Sequence, residues 1–202
     1  MIEWRRYVVA VLICLIPIPV SAQSELSILY LGRTSDKAYK SRRAYTGLSL
    51  RDIKRPIDGA RVAVRDSRIL ARAIGIKVVL EERLVSRSAD LMSIVDEEIA
   101  DDGRIILADL DRAEFDELIA KTNHRDDVLI FNFRHDDDDL RSIKCSKQLF
   151  NTLPSRAMLS DAMAQFLSVK GWRRVLMLIG EKERDSEIAK SFLASAKKFG
   201  LK

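Results

Sequence analysis

Cysteine is scarce in this chain: two in 202 residues, Cys14 and Cys145, too few for a disulfide scaffold. Proline (4) and glycine (8) are few as well, and at 47% hydrophobic and 32% charged the mixture is too apolar and too even for a disordered protein. No sign of charge dominates. Lys and Arg number 35 against 30 Asp and Glu, a net +5, and both signs are interspersed. A nucleic-acid surface needs a concentrated basic stripe, so no nucleic-acid partner is expected. Missing too are GxGxxG after a strand, GxxxxGK[ST] and the GxSxG elbow. Nucleotide binding and hydrolase chemistry therefore lack their usual apparatus. The length suits one ordinary domain, or one domain and a piece of another.

The first 22 residues, MIEWRRYVVAVLICLIPIPVSA, read as an address. Arg5 and Arg6 form a positive start, residues 7–20 are apolar but broken by Pro17 and Pro19, and Val20-Ser21-Ala22 offers small residues for cleavage before Gln23. A membrane span needs roughly 20 unbroken apolar residues. Export by a cleavable signal peptide is expected, with no stable membrane insertion afterwards and a periplasmic destination. Cleavage removes Cys14 and leaves Cys145 as a lone thiol, expected to be partly buried. The histidines, His124 and His135, lie in charged, loop-like sequence, so no nucleophile–base pair is apparent.

Beyond the leader, the hydrophobic pattern alternates between two periods. Short apolar runs at 26–31, 77–82, 104–108, 127–133 and 173–179 are strand-like. Between them lie helical patterns. One opens at Pro56 and Asp58, carries Ala60, Ala63, Val64, Leu70, Ala71 and Ile74 inward, and ends at Gly75. Ser88 is placed to cap a second and Asp111, with Glu114 three residues on, a third. Ser155 caps a fourth, and Ile188, Phe192, Ser195 and Phe199 line a last. Alternating strands and helices predict an α/β fold: a doubly wound parallel sheet covered on both faces. The predicted organisation is a signal peptide over 1–22, a first α/β lobe over 23–153, and a crossover helix with the first strand–helix of an incomplete second lobe over 154–202.

Open α/β sheets bind ligands beyond the carboxyl ends of their strands. The loops concerned are 32–36, 109–111 and 133–136. Arg33, Thr34 and Ser35 are candidate donors to a carboxylate or hydroxyl, Arg134 adds a fork-like donor, and Asp109 completes the candidate ligand-binding set. The run Asp136–Asp139 invites a metal reading. Consecutive residues on an extended chain point in opposite directions, however, and no second ligand set stands at recognisable spacing. A solvated acidic loop is expected there, with no metal and no cofactor.

Three stretches carry a resemblance: FNTLPSRAMLSDAMAQFL at 150–167, GWRRV at 171–175 and AKKFG at 196–200. With an export signal and a βα lobe before them, they resemble type I periplasmic solute-binding proteins of the branched-chain amino-acid ABC importer family. Residues 131–140 (FNFRHDDDDL) and 149–167 look closer still to the branch associated with pyrroloquinoline-quinone-dependent alcohol oxidation. The resemblance implies two Rossmann-like lobes that close on a small solute and deliver it to a permease in the inner membrane. It also implies a chain that ends about halfway, with most of lobe two absent. Two departures stand out: the segment 32–55 is long and basic where the family has a compact loop, and half a clamp loses the affinity that closure supplies. The alternative reading is a periplasmic sensor or interaction protein whose lobe contacts a partner. An enzyme is not expected.

Overall fold

A computed structural model describes residues 24–39, 54–86, 89–100 and 104–202; the leader expected over 1–22 lies outside them. Among the described residues, no helix is long and apolar enough to cross a membrane. The chain runs β1 (Ser24–Arg33), α1 (Ile57–Ala73), β2 (Ile76–Val85), α2 (Leu91–Glu98), β3 (Ile105–Asp109), α3 (Arg112–Thr122), β4 (Leu129–Asn132), β5 (Leu149–Asn151), α4 (Arg156–Val169) and α5 (Glu183–Lys198).

The strands form one parallel sheet in the order β2-β1-β3-β4-β5. Strand order reverses at β1: the chain first adds β2 on one side of it, then returns to add β3 on the other. Registers Leu29↔Ile106, Leu31↔Ala108 and Ile106↔Ile130 align one face of the sheet. That face meets Val95 of α2 and Phe115 and Leu118 of α3 in a continuous core. Each such fully buried side chain contributes roughly 1.5–3 kcal/mol through lost water contact. On the opposite face Ile28, Leu107, Leu129 and Phe131 are half-covered among the described residues, while Tyr30 and Asp109 are fully buried.

Local chemistry sets the helix ends. Asp58 places negative charge in the first turn of α1, and Gly75 (φ 75°) adopts the left-handed conformation that ends it. Asp111 accepts a hydrogen bond from Glu114 N, and Ser155 accepts from Met158 N. Asp90, not Ser88, caps α2, accepting from Met92 N and Ser93 N; Ser88 lies outside the described residues. In α1 the inward stripe runs Ile57, Ala60, Val64, Ser67 and Ala71. Leu70 and Ile74, expected inward, are 68% and 62% exposed, because this stripe turns them away from the sheet.

Three further expectations are corrected. Residues 173–179 do not form a sheet strand: among the described residues their backbone bonds are Arg173 N to Gly171 O (3.1 Å), Val175 N to Lys202 O (2.9 Å) and Lys202 N to Arg173 O (2.6 Å). A strand needs a neighbour along its length, and among the described residues none is there. Instead β5, an unforeseen three-residue strand, closes the edge beside β4. Cys145 is exposed, not partly buried, because its loop carries it outward beside Ile143 (92% exposed).

The acidic run is not a solvated loop either. Its side chains diverge, and each is partnered by a basic side chain or a helix N-terminus. Asp136 accepts from Arg156 (3.4 Å) and Arg184 (2.8 Å), and Asp137 pairs with Arg112 (2.9 Å) and Arg156. Asp138 accepts from Ala157 N at the start of α4 (3.0 Å), and Asp139 pairs with Arg112 (2.6 Å). Asp136, Asp137 and Asp138 tie α4 and α5 to the loop after β4, and Asp137 and Asp139 tie that loop to α3.

Candidate functional site

The crossover point between β1 and β3 lies at their carboxyl ends, where Gly32 is opposite Asp109. The strands approach closely there. A Cβ on Gly32 would meet the Asp109 carbonyl oxygen at 3.2 Å, tighter than ordinary contact. Asp109, the last residue of β3, is fully buried. Tyr30 donates its hydroxyl to Asp109 Oδ2 (2.7 Å), Tyr39 donates to Oδ1, and Arg134 Nη1 donates to Oδ1 at 3.1 Å. Arg55 Nη1 stands 3.9 Å from Oδ2. A buried carboxylate requires such a shell, since an unpaired charge in the interior is expensive. Burial, then the hydrogen bond to Asp109, pushes both tyrosine phenols well above their ordinary range.

In front of this buried cluster, the chain after β1 makes a turn. Asp36 accepts from Ala38 N (2.8 Å) and starts the short helical turn Lys37–Tyr39, which delivers the Tyr39 hydroxyl to Asp109. Arg134 Nη1 also donates to Asp36 Oδ2 (2.6 Å) and so bridges the first and third loops. Burial opposes ionisation of Asp36, but the hydrogen bonds from Arg134 and Ala38 outweigh it and hold the carboxyl below its usual range. Arg134 is itself positioned by Asn132, whose Oδ1 accepts from Arg134 N (3.1 Å) and His135 N (2.9 Å). Asn132 Nδ2 donates to His135 O and to Asn151 Oδ1, both at 2.7 Å. The His135 ring donates to Leu110 O (3.1 Å) and packs on Phe115; burial lowers its pKa.

Together these loops enclose an open concavity of about 360 Å³, lined by Arg33, Ser35, Asp36, Lys37, Asp111, Glu114 and Arg134 along with Ala38. All five sequence-derived candidates converge on this corner, but they differ in what they leave free. Arg33 donates from Nε to Glu114 Oε1 (2.7 Å) and from Nη1 to Ser86 O (2.6 Å) and Ala89 O (2.9 Å). That braces β1 against the ends of β2 and the start of α3. Thr34 turns its hydroxyl to Leu84 O (3.1 Å). Asp109 lies behind the wall, not on it. Arg134 forms the back of the concavity, and Ser35 stands at its mouth with no hydrogen-bond partner among the described residues.

Sequence reasoning did not single out Lys37, Asp111 or Glu114, which also line the concavity. Lys37 is exposed and its ammonium has no ion-pair partner among the described residues. Asp111 uses Oδ1 to cap α3, and Glu114 Oε2 is buried without a partner. Asp111 and Glu114 were legible as a helix start, and the same spacing puts both at the strand ends. Among the described residues, no group of three His, Cys, Asp or Glu side chains is arranged to hold a metal ion.

No protein-family model matches the sequence, and no curated protein matches it. Solved structures do. An ABC transporter substrate-binding protein from Desulfitobacterium hafniense aligns with a TM-score of 0.61 at 15% identity, over 88% of this chain and 48% of its own. Its complex with leucine gives 0.62 at 14%, over 88% and 49%. The leucine-, isoleucine-, valine-, threonine- and alanine-binding protein of Brucella ovis, in a closed conformation, gives 0.55 at 17%, over 89% and 45%. This chain thus spans about half the length of the solved structures it matches. Its fold is that of an α/β lobe of an ABC-transporter substrate-binding protein.

Proposed function

We propose that the chain is the solute-binding component of an ABC-type importer, exported to the periplasm, with the β1/β3/β4 corner forming one jaw of a two-lobed clamp. One observation carries this reading: a polar concavity sits at the reversal of strand order, on a sheet of the substrate-binding-protein type, with side chains still free to meet a ligand. The chemistry of the wall defines the solute. Cationic Arg33, Lys37 and Arg134 alternate with anionic Asp36, Asp111 and Glu114 over a small area. A large apolar or singly charged ligand has no counterpart there. A small polar solute presenting a donor and an acceptor a few ångströms apart does, as an amino acid or a hydroxy acid from alcohol oxidation would.

In this reading Ser35 and Lys37 contact a carboxylate or hydroxyl, while Arg134 forms the fixed back wall. Arg33, Thr34 and Asp109 hold the loops that present them. Solute would pass from the closed clamp to a permease in the inner membrane. The resemblance of residues 131–140 and 149–167 to the branch linked with quinone-dependent alcohol oxidation favours oxidised alcohols within that solute class. Isothermal titration with amino acids, short alcohols and their acids tests the proposal. Saturable heat for one class, abolished by Ser35→Ala with Lys37→Ala, is the expected result. No heat from any of them removes solute capture.

A further inference from the structure

Along α1, Arg61, Arg65, Arg68 and Arg72 recur at helical spacing and fall on one side of the helix. Arg61 shows where that side lies: its guanidinium donates to both oxygens of Glu82 on β2, each at 2.6 Å. β2 is the outer strand at the far end of the sheet from β5, four strand spacings or about 19 Å away. Between the last turns of α1 and the start of β2 runs a groove of about 360 Å³, lined by Arg68, Ala71, Arg72, Ile76, Lys77 and Val78. Its walls come from these two elements alone. Its volume falls in the ~300–1,000 Å³ range of small-molecule sites.

The arginine stripe is neutralised at one end and not at the other. Arg61 pairs with Glu82 and Asp58, and Arg65 with Asp66. Lys77 turns its ammonium to Glu25 (2.9 Å). Arg68 and Arg72 have neither an ion pair nor a side-chain hydrogen bond among the described residues, and no carboxylate lines the groove. They stand one turn apart, where side chains are neighbours and like charges repel. An anion between the two guanidiniums supplies the missing charge. The carbonyls at this end of α1 are already occupied: Leu70 O accepts from Ile74 N (3.2 Å) and Arg72 O from Gly75 N (3.1 Å).

Charge and shape select the anion. A carboxylate brings one charge and two oxygens to two positive forks. A phosphate monoester brings about −1.5 to −2 at pH 7 and three acceptor oxygens. The floor of the groove is apolar, with Ala71 buried and Ile76 and Val78 half-buried, and suits the carbon body of the ester. We infer that α1 and β2 form an anion site that holds a phosphate monoester between Arg68 and Arg72. A free organic phosphate and the headgroup of phosphatidic acid present the same group. The site stands apart from the proposed solute clamp, since none of its residues lines that corner.

Amide and arginine Nε resonances of the isotope-labelled chain, at constant ionic strength, read the site. Glycerol phosphate is expected to give saturable shifts at Arg68, Arg72 and Ile76. Vesicles of phosphatidylcholine with phosphatidic acid are expected to sediment the chain where phosphatidylcholine alone does not. A response to either probe supports the inference and names the source, free ester or headgroup. Arg72→Gln weakens binding about tenfold, and Arg68→Gln with Arg72→Gln abolishes it. Both side chains are exposed, and circular dichroism checks that the fold is kept. No saturable response to either probe, acetate binding as tightly as glycerol phosphate, or a double variant that binds like the unaltered chain would each overturn the inference.

Discussion

Replacing Asp109 with asparagine keeps its volume and removes its charge. The change reaches a side chain with no solvent exposure that accepts from Tyr30, Tyr39 and Arg134. An asparagine retains one acceptor oxygen and turns an NH2 toward donors, so one tyrosine hydroxyl loses its acceptor and Arg134 loses a counter-charge. A lost hydrogen bond to a charged group costs about 1.5–3 kcal/mol, and breaking a buried ion pair about 3–5. Arg134 retains Asp36 at 2.6 Å, which favours the lower figures. The expected loss is about 3 kcal/mol, or roughly 6–12 °C in Tm for a chain of this size. Urea denaturation followed by circular dichroism gives the free energy directly. Tyr30→Phe, which removes a single donor, costs about 1–2 kcal/mol by the same measurement. If Asp109→Asn melts within 0.5 kcal/mol of the unaltered chain, the buried shell around Asp109 is not what holds the corner together.

Three further outcomes follow from the geometry. His135 is held neutral by burial, its folded pKa lying below the unfolded value of about 6.5, so the unfolded chain binds more protons. Stability therefore falls as pH drops through and below about 6.5, and His135→Gln flattens that part of a stability–pH curve. Asp36 also has a lowered folded pKa, so its contribution is complete above the unfolded value of about 3.9 and is lost as pH falls further; Asp36→Asn removes that more acidic phase. Gly32→Ala forces the β1/β3 contact apart and lowers stability by about 1–3 kcal/mol, measured by thermal melting.

The α/β class, the first four strands along the chain and the caps at Asp111 and Ser155 were legible because they depend on local patterns: apolar runs, i to i+3 spacing and turn residues. Long-range pairing leaves no such mark. Leu70 reads as core by periodicity, yet the side of α1 that meets the sheet is chosen by the β2 it leads into, and Leu70 faces out. The acidic run reads as solvated because its arginine partners, Arg112, Arg156 and Arg184, lie on three separate helices or their ends. At the candidate site, the strand-end rule pointed to the loops that line this concavity, but it could not tell braced side chains from free ones. Arg33 and Lys37 look equivalent as letters; only the positions of Ser86, Ala89 and Glu114 make one a brace and leave the other free.

Amide chemical shifts of the isotope-labelled chain, followed while a panel of amino acids and short hydroxy acids is added, test the central claim most directly. The account predicts saturable shifts at Ser35, Lys37, Asp111 and Arg134 for one solute class, reduced when Ser35 becomes alanine. Shifts confined to other surfaces, or a spectrum unchanged by every solute, would contradict it.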